Sequence, residues 1–148
     1  MSGPANTQFA VGVHAMTLIA YASDGWVSSE RIAVSAGANA VYVRRVLGRL
    51  RRAGYVRSIP GVHGGWQLAR DPQEITLGDV WRVIEGDAAL LGVHAANPDC
   101  PVGREIQRTL TAIDSRVARA VQHELDRITV VDLMPAGAEP LRQRLLRV

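Results

Sequence analysis

Apolar positions along this chain recur in two rhythms, and the places where the rhythm changes divide it into elements. Phe9, Val13, Met16, Leu18 and Ile19 fall at helical spacing through an alanine-rich stretch, which predicts a helix over Phe9–Ala22 that Asp24-Gly25 stops. Ser28 is a good N-cap, with Ser29 and Glu30 favourable in the first turn, and predicts a short second helix, Ser28–Ser35, ended near Gly37. Asn39 caps a third. In it Val43, Val46, Leu47 and Leu50 form one stripe, and Val41, Arg44, Arg45, Gly48 and Arg52 fall on the opposite face. Past Gly54 the period shortens to two. Tyr55-Val56-Arg57-Ser58-Ile59 alternates as a strand does, Pro60-Gly61 and Gly64-Gly65 turn the chain, and Trp66-Gln67-Leu68-Ala69 returns. Helix, turn, helix and two-stranded ribbon make a winged helix-turn-helix, so the expected class is mainly α with a small β-wing.

The second part of the chain reads differently. Asp71-Pro72 breaks it, and Thr76 caps Leu77–Glu85, where Leu77, Val80, Trp81 and Ile84 make the buried stripe. Gly86–Asp99 has no periodicity and is expected to be a loop. From Pro101 onward Ile106, Leu110, Ile113, Val117, Val121, Leu125 and Ile128 step by threes and fours, forming one seam on a helix of more than six turns. A helix this long after a compact domain has too little protein of its own to pack on, so the seam is expected to meet a second copy. Thr129 caps a short helix, Val130–Met134, and the tail from Pro135 is expected to be loosely ordered. The organisation expected is therefore a DNA-binding domain over 1–86, a loop over 87–100, a dimerisation helix with its short successor over 101–134, and a tail over 135–148.

Charge turns this layout towards a partner. Between Arg31 and Arg70 stand eight arginines and no Asp or Glu, whereas the remainder carries nine arginines against fourteen acids. The net +3 is thus +8 on one segment offset by −5 elsewhere, an asymmetry that points to a polyanion. Hydrophobic content of 47% and 21% charged residues suit a globular chain. Met1–Gln8 lacks the basic start and apolar run of a signal peptide, and no stretch approaches the roughly 18 apolar residues of a membrane span. A cytoplasmic setting with no membrane partner is the expectation. The lone Cys100 cannot form an intrachain disulfide and fits a reducing compartment, although a bond between two subunits stays open. No nucleophile has a placed base, and no phosphate-cradling loop or carboxylate pair appears, so an enzyme is not expected. Trp26, Trp66 and Trp81 read as core or wing anchors before base-stacking residues.

Several motifs in a fixed order then resemble one family. The run Tyr42-Val43-Arg44-Arg45-Val46-Leu47 leads to Leu50-Arg51-Arg52-Ala53-Gly54-Tyr55-Val56, followed by Gly61-Val62-His63-Gly64-Gly65-Trp66. Leu68-Ala69-Arg70-Asp71-Pro72, Ile75-Thr76-Leu77-Gly78-Asp79-Val80 and a cysteine just before the long helix complete the set. Over Phe9–Met134 the chain resembles the Rrf2 family of bacterial winged helix-turn-helix regulators, which includes an iron–sulfur cluster regulator, a nitric-oxide sensor and a cysteine-metabolism regulator. The resemblance implies a homodimer whose recognition helices enter successive major grooves of a partly palindromic duplex while the wings touch backbone or minor groove. It assigns DNA contacts to Ser28 and to Asn39, Val41, Tyr42 and Arg44 at the start of the third helix, with Arg44 reading a guanine. Arg45, Arg52 and Arg57 become phosphate contacts, and His63 sits at the wing tip. Pro60 stands where the resemblance places a wing arginine, which argues against base reading by the wing.

The effector turns on Cys100. Cluster-binding relatives place three cysteines here, and this chain keeps only the last, with Gly103 at the position of a histidine ligand. No cofactor is therefore expected; a cluster held by unusual ligands such as His14, His94 or a carboxylate is the minor alternative. Cys100 precedes Pro101 at the start of the long helix, with Arg104 one turn on and Asp99 beside it, a setting for thiol sensing of an oxidant or small thiol across the loop over 87–100. An inert remnant of a cluster site weighs equally. The reading is a dimeric operator-binding regulator, acting as a repressor and redox-responsive through Cys100. The alternative is a winged-helix regulator governed by a partner protein.

Overall fold

A computed structural model of the chain describes residues 7–22 and 25–138. Asp24 and most of the tail over 135–148 lie outside the described residues. The elements run α1 (Thr7–Tyr21), α2 (Ser29–Ala36), α3 (Ala40–Arg52), β1 (Val56–Ile59), β2 (Gly65–Leu68), α4 (Leu77–Ile84) and α5 (Pro101–Leu125), then a 3₁₀ turn at Val130–Leu133. The chain is mainly helical with one small antiparallel wing, as its pattern predicts.

Local chemistry fixes the helix ends. The Ser28 hydroxyl accepts from the Arg31 N–H at 3.1 Å, and Gly37 closes α2 with φ 62°, a left-handed conformation that glycine adopts at little cost. The Asn39 side chain accepts from the Tyr42 N–H at 2.8 Å to open α3. Thr76 and Asp79 cap α4 reciprocally, with bonds of 3.0 and 2.9 Å.

The apolar stripes of α1 to α4 meet in one core. Met16, Ile32, Val43, Leu47, Leu50, Ile75 and Val80 are sealed from solvent there. Trp81 is buried with its ring edge-on to Phe9 at 5.1 Å, and Trp66 is buried at the root of the wing, both in the anchoring roles expected of them. The wing pairs Ser58 with Trp66 and Ile59 with Gly65. Val27 adds a bridge on the other side of Trp66, exchanging N–H···O bonds of 3.0 and 2.9 Å, and this ties the ribbon to the entrance of α2. Gly65 has φ 146°, and a side chain there would strike the Val27 carbonyl. Strands predicted from Tyr55 and through Ala69 are each trimmed, and Gly65 joins β2.

α5 leaves this core, and its one buried residue is Gly103. Its far end returns to the head, where Arg82 of α4 bridges Asp126, the Leu77 N–H donates to the Ile128 carbonyl at 2.8 Å, and the Val130 N–H donates to Ile75 at 2.9 Å. Ile128 is therefore a correction to the predicted seam. The helix ends at Leu125 with Asp126 as C-cap, and Ile128 belongs to the strand-like link that docks on α4. Along the helix itself Ile106, Ile113 and Val117 are 42%, 38% and 37% exposed. The short helix expected after Thr129 is a 3₁₀ turn, held by the Asp132 carboxylate accepting from the Thr129 N–H at 2.8 Å. The stretch 87–100 is irregular and pinned to α5 at mid-length, because the Asp114 carboxylate accepts from the Leu90 and Leu91 N–H groups at 2.8 and 2.6 Å.

Candidate nucleic-acid interface

The buried stripe of α3 fixes what the helix shows to solvent. With Val43, Val46, Leu47 and Leu50 turned inward, Val41, Arg44, Arg45 and Arg52 stand exposed on the outer face. Arg45 and Arg52 make no ion pair among the described residues, which leaves their guanidinium groups open to an external anion. Tyr42 is half-buried against the core, and Asn39 is engaged as the cap.

Between α3 and the wing lies a cleft of about 510 Å³ lined by Ser28, Glu30, Arg44, Arg51, Ser58 and Pro60, among others. Arg51 crosses it, donating to the Ser58 hydroxyl at 2.8 Å and lying 5.9 Å over the Trp66 ring. The indole N–H of Trp66 in turn donates to the Ser29 hydroxyl at 2.9 Å inside the fold. Wing, second helix and recognition helix are thereby joined through one buried aromatic. Ser28 meets the cleft while capping α2, and His63 is exposed in the hairpin turn.

Two features escape the sequence pattern. Arg44 does not stand alone: its Nη1 donates to the Glu30 carboxylate at 2.9 Å. The Glu30 carboxyl is held below its ordinary range, first by its own backbone N–H and then by the Arg44 guanidinium. Arg51 is the other, although its place two turns after Arg44 put it on a related face. Arg57 is not brought into the cleft. Alternation along β1 turns it to the opposite side of the ribbon from Ser58, where it lies 5.6 Å over Trp26 and donates to Gln67 at 2.8 Å. Arg70 serves the fold, donating to the Gly54 and Ala53 carbonyls at 3.1 and 3.3 Å and stacking 4.2 Å over Tyr55.

At the other end of the protein, Cys100 is half-buried at the N-cap of α5, and its Sγ accepts from the Gly103 N–H at 3.4 Å. Arg104, expected beside the sulfur, donates instead to the Pro98 carbonyl at 2.7 Å. His94 is exposed in the preceding loop, and His14 Nε2 is hydrogen-bonded to Ser35 Oγ at 2.8 Å. Among the described residues no three His, Cys, Asp or Glu side chains converge to hold a metal.

A cationic recognition helix set against a hairpin wing, on a core shared by α1 to α4, defines a winged helix-turn-helix DNA-binding regulator. The family model Rrf2, described as an iron-dependent transcriptional regulator, matches residues 5–136, and the chain belongs to that family. YwnA of Bacillus subtilis, named as an HTH-type transcriptional regulator, is 38% identical over 130 residues, which is 87% of this chain and 96% of the relative. Among solved structures, CymR, the global cysteine regulator of B. subtilis, superposes with a TM-score of 0.62 at 31% identity, covering 90% of this chain and 96% of the other. The oxidized form of Staphylococcus aureus CymR gives 0.63 at 27% identity, covering 88% and 95%. Family and relatives are transcription regulators, not enzymes. No described helix is long and apolar enough to cross a membrane. The family description names iron; iron–sulfur irons usually take several thiolates, and Cys100 is the chain's one cysteine.

Proposed function

We propose that this regulator acts as a homodimer on a partly palindromic DNA operator, represses transcription from it, and answers to oxidants or small thiols through Cys100. The observation that carries the reading is the pairing of an arginine-bearing outer face on α3, a helix with no acid of its own, with an uncovered apolar seam on α5. The arginines supply attraction to the phosphate backbone. The seam, together with an apolar groove of about 660 Å³ lined by Phe9, Val13, Leu18 and Leu133, gives each copy the surfaces for a two-fold interface. Two heads joined in this way meet two half-sites, and a dimer seated on a promoter excludes polymerase. Control through Cys100 draws support from its place at the root of α5, where a bulky adduct on Sγ displaces the helix start. The oxidized form of S. aureus CymR is a precedent for redox chemistry in a relative. Membership of a family of transcription regulators suits a protein working beside the chromosome in the cytoplasm.

The test begins with an operator selected from a random duplex library. On it Arg44→Ala relaxes base preference at a loss of about 1–3 kcal/mol, and Arg52→Ala weakens all sequences alike and lowers the salt slope by about one. Equal losses on operator and random DNA for both variants overturn the assignment of roles. Cys100→Ser keeps reduced-state binding and abolishes the response to peroxide or disulfide; an unchanged response removes the thiol from the mechanism.

A further inference from the structure

We propose that Glu30 sets the base preference of this head by gripping Arg44, so that operator choice resides in a pair of side chains from two helices. The proposal rests on the DNA-reading role assigned above. Glu30 lies in the first turn of α2 and Arg44 in the second turn of α3, and their side chains meet at 2.9 Å although 68% and 49% exposed. Exposed pairs of this kind add little to folding stability, so the fold has small need of it. Its location is what gives it consequence. Glu30 is the one acid among the residues lining the cleft between α3 and the wing, beside Arg44 and Arg51.

A carboxylate on a surface that faces a polyanion weakens binding to every sequence alike through repulsion of phosphates. It earns a place there by selecting among sequences. The guanidinium carries five N–H groups in a rigid fork, and the bond to Glu30 uses one on Nη1. The Nη2 and Nε donors stay free for the O6 and N7 acceptors of a guanine. A fork already held in place loses less rotamer freedom on meeting that base. The same grip restrains Arg44 from swinging to a phosphate, which would offer binding without sequence information. Glu30 is thus a positioning residue acting through Arg44.

The experiment uses the full chain and selection from a random duplex library for wild type, Glu30→Ala, Glu30→Gln, Arg44→Ala and the Glu30→Ala/Arg44→Ala double variant. Wild type is expected to select a half-site with one strongly preferred G·C pair. Glu30→Ala loses about tenfold in discrimination at that pair, binds random duplex several-fold more tightly and shows a steeper salt dependence. Glu30→Gln, which keeps the shape without the charge, falls between the two. In the Arg44→Ala background, removal of Glu30 leaves discrimination at that pair unchanged, since its lever is gone. A wild-type preference retained in both Glu30 variants, or an equal loss with and without Arg44, overturns the proposal. Failure of the wild type to select any sequence instead overturns the DNA-reading role on which it stands.

Discussion

The head and the long helix carry the same kind of apolar stripe, and only one of the two is covered. On α3, Val43, Val46, Leu47 and Leu50 are at most 1% exposed because α1, α2 and α4 close around them. On α5, Ile106, Ile113 and Val117 also fall on one helical stripe and stay 37–42% open. Length accounts for the difference. The head's helices have 8 to 15 residues and share one centre, whereas a helix of 25 residues reaches about 38 Å and runs beyond any centre the chain can build. Periodicity therefore identifies residues that seek cover without saying which molecule supplies it.

Emptying the covered side is expected to have the strongest effect. Leu47→Ala removes a fully buried side chain and is expected to cost about 2–5 kcal/mol in denaturant unfolding, because the surrounding helices collapse only partly onto the gap. A cost below about 1 kcal/mol would mean that the head is no better packed than the rod. Charging the open side is the complementary test. Ile113→Asp with Val117→Asp is expected to yield single chains in ultracentrifugation and to lower affinity for a two-half-site operator about a hundredfold, with the head still folded. Dimers that persist would place the two-fold contact elsewhere. Gly65→Ala acts at the hinge of the wing, where φ 146° and the Val27 carbonyl leave no room for a Cβ. It is expected to cost about 1–3 kcal/mol and to release the Val27 and Trp66 amides to faster hydrogen exchange.

What the sequence made legible follows the same division. Caps at Ser28, Asn39 and Thr76 and the stripes of the head were readable because they depend on residues three or four apart. Ile128 misled for the same reason: its spacing continues the seam, but the helix has already ended and its carbonyl is taken by Leu77. Charge counting found the acid-free segment and overstated it, since a count carries no direction. Arg70 bonds the Gly54 and Ala53 carbonyls and Arg49 donates to Gln8 at 3.1 Å, so neither adds freely to the outer face. Glu30 was invisible to it, standing one residue before the segment and fourteen from the arginine it holds. Only the angle at which α2 crosses towards α3 brings them together.

The junction where the two regions meet supplies the smallest effect and the most discriminating sign. Asp79 accepts from the Thr76 N–H at 2.9 Å and from Arg82 at 2.7 Å, and Arg82 reaches on to Asp126 at the foot of α5 at 2.9 Å. Burial of Asp79 disfavours its charge, but the bonds from Thr76 and Arg82 outweigh burial and hold its carboxyl below the ordinary range. A carboxylate whose folded pKa lies below its unfolded value of about 4 contributes stability that is complete above that value and fades as the pH falls through the folded one. Asp79→Asn is therefore expected to cost about 1 kcal/mol at neutral pH and progressively less as the pH falls below the ordinary carboxylate range, the two unfolding curves drawing together in acid. If the gap between them stays constant with pH, the charge contributes nothing at this joint. The rod is then fastened to the head by the Arg82–Asp126 bridge and by the Leu77–Ile128 and Val130–Ile75 backbone bonds.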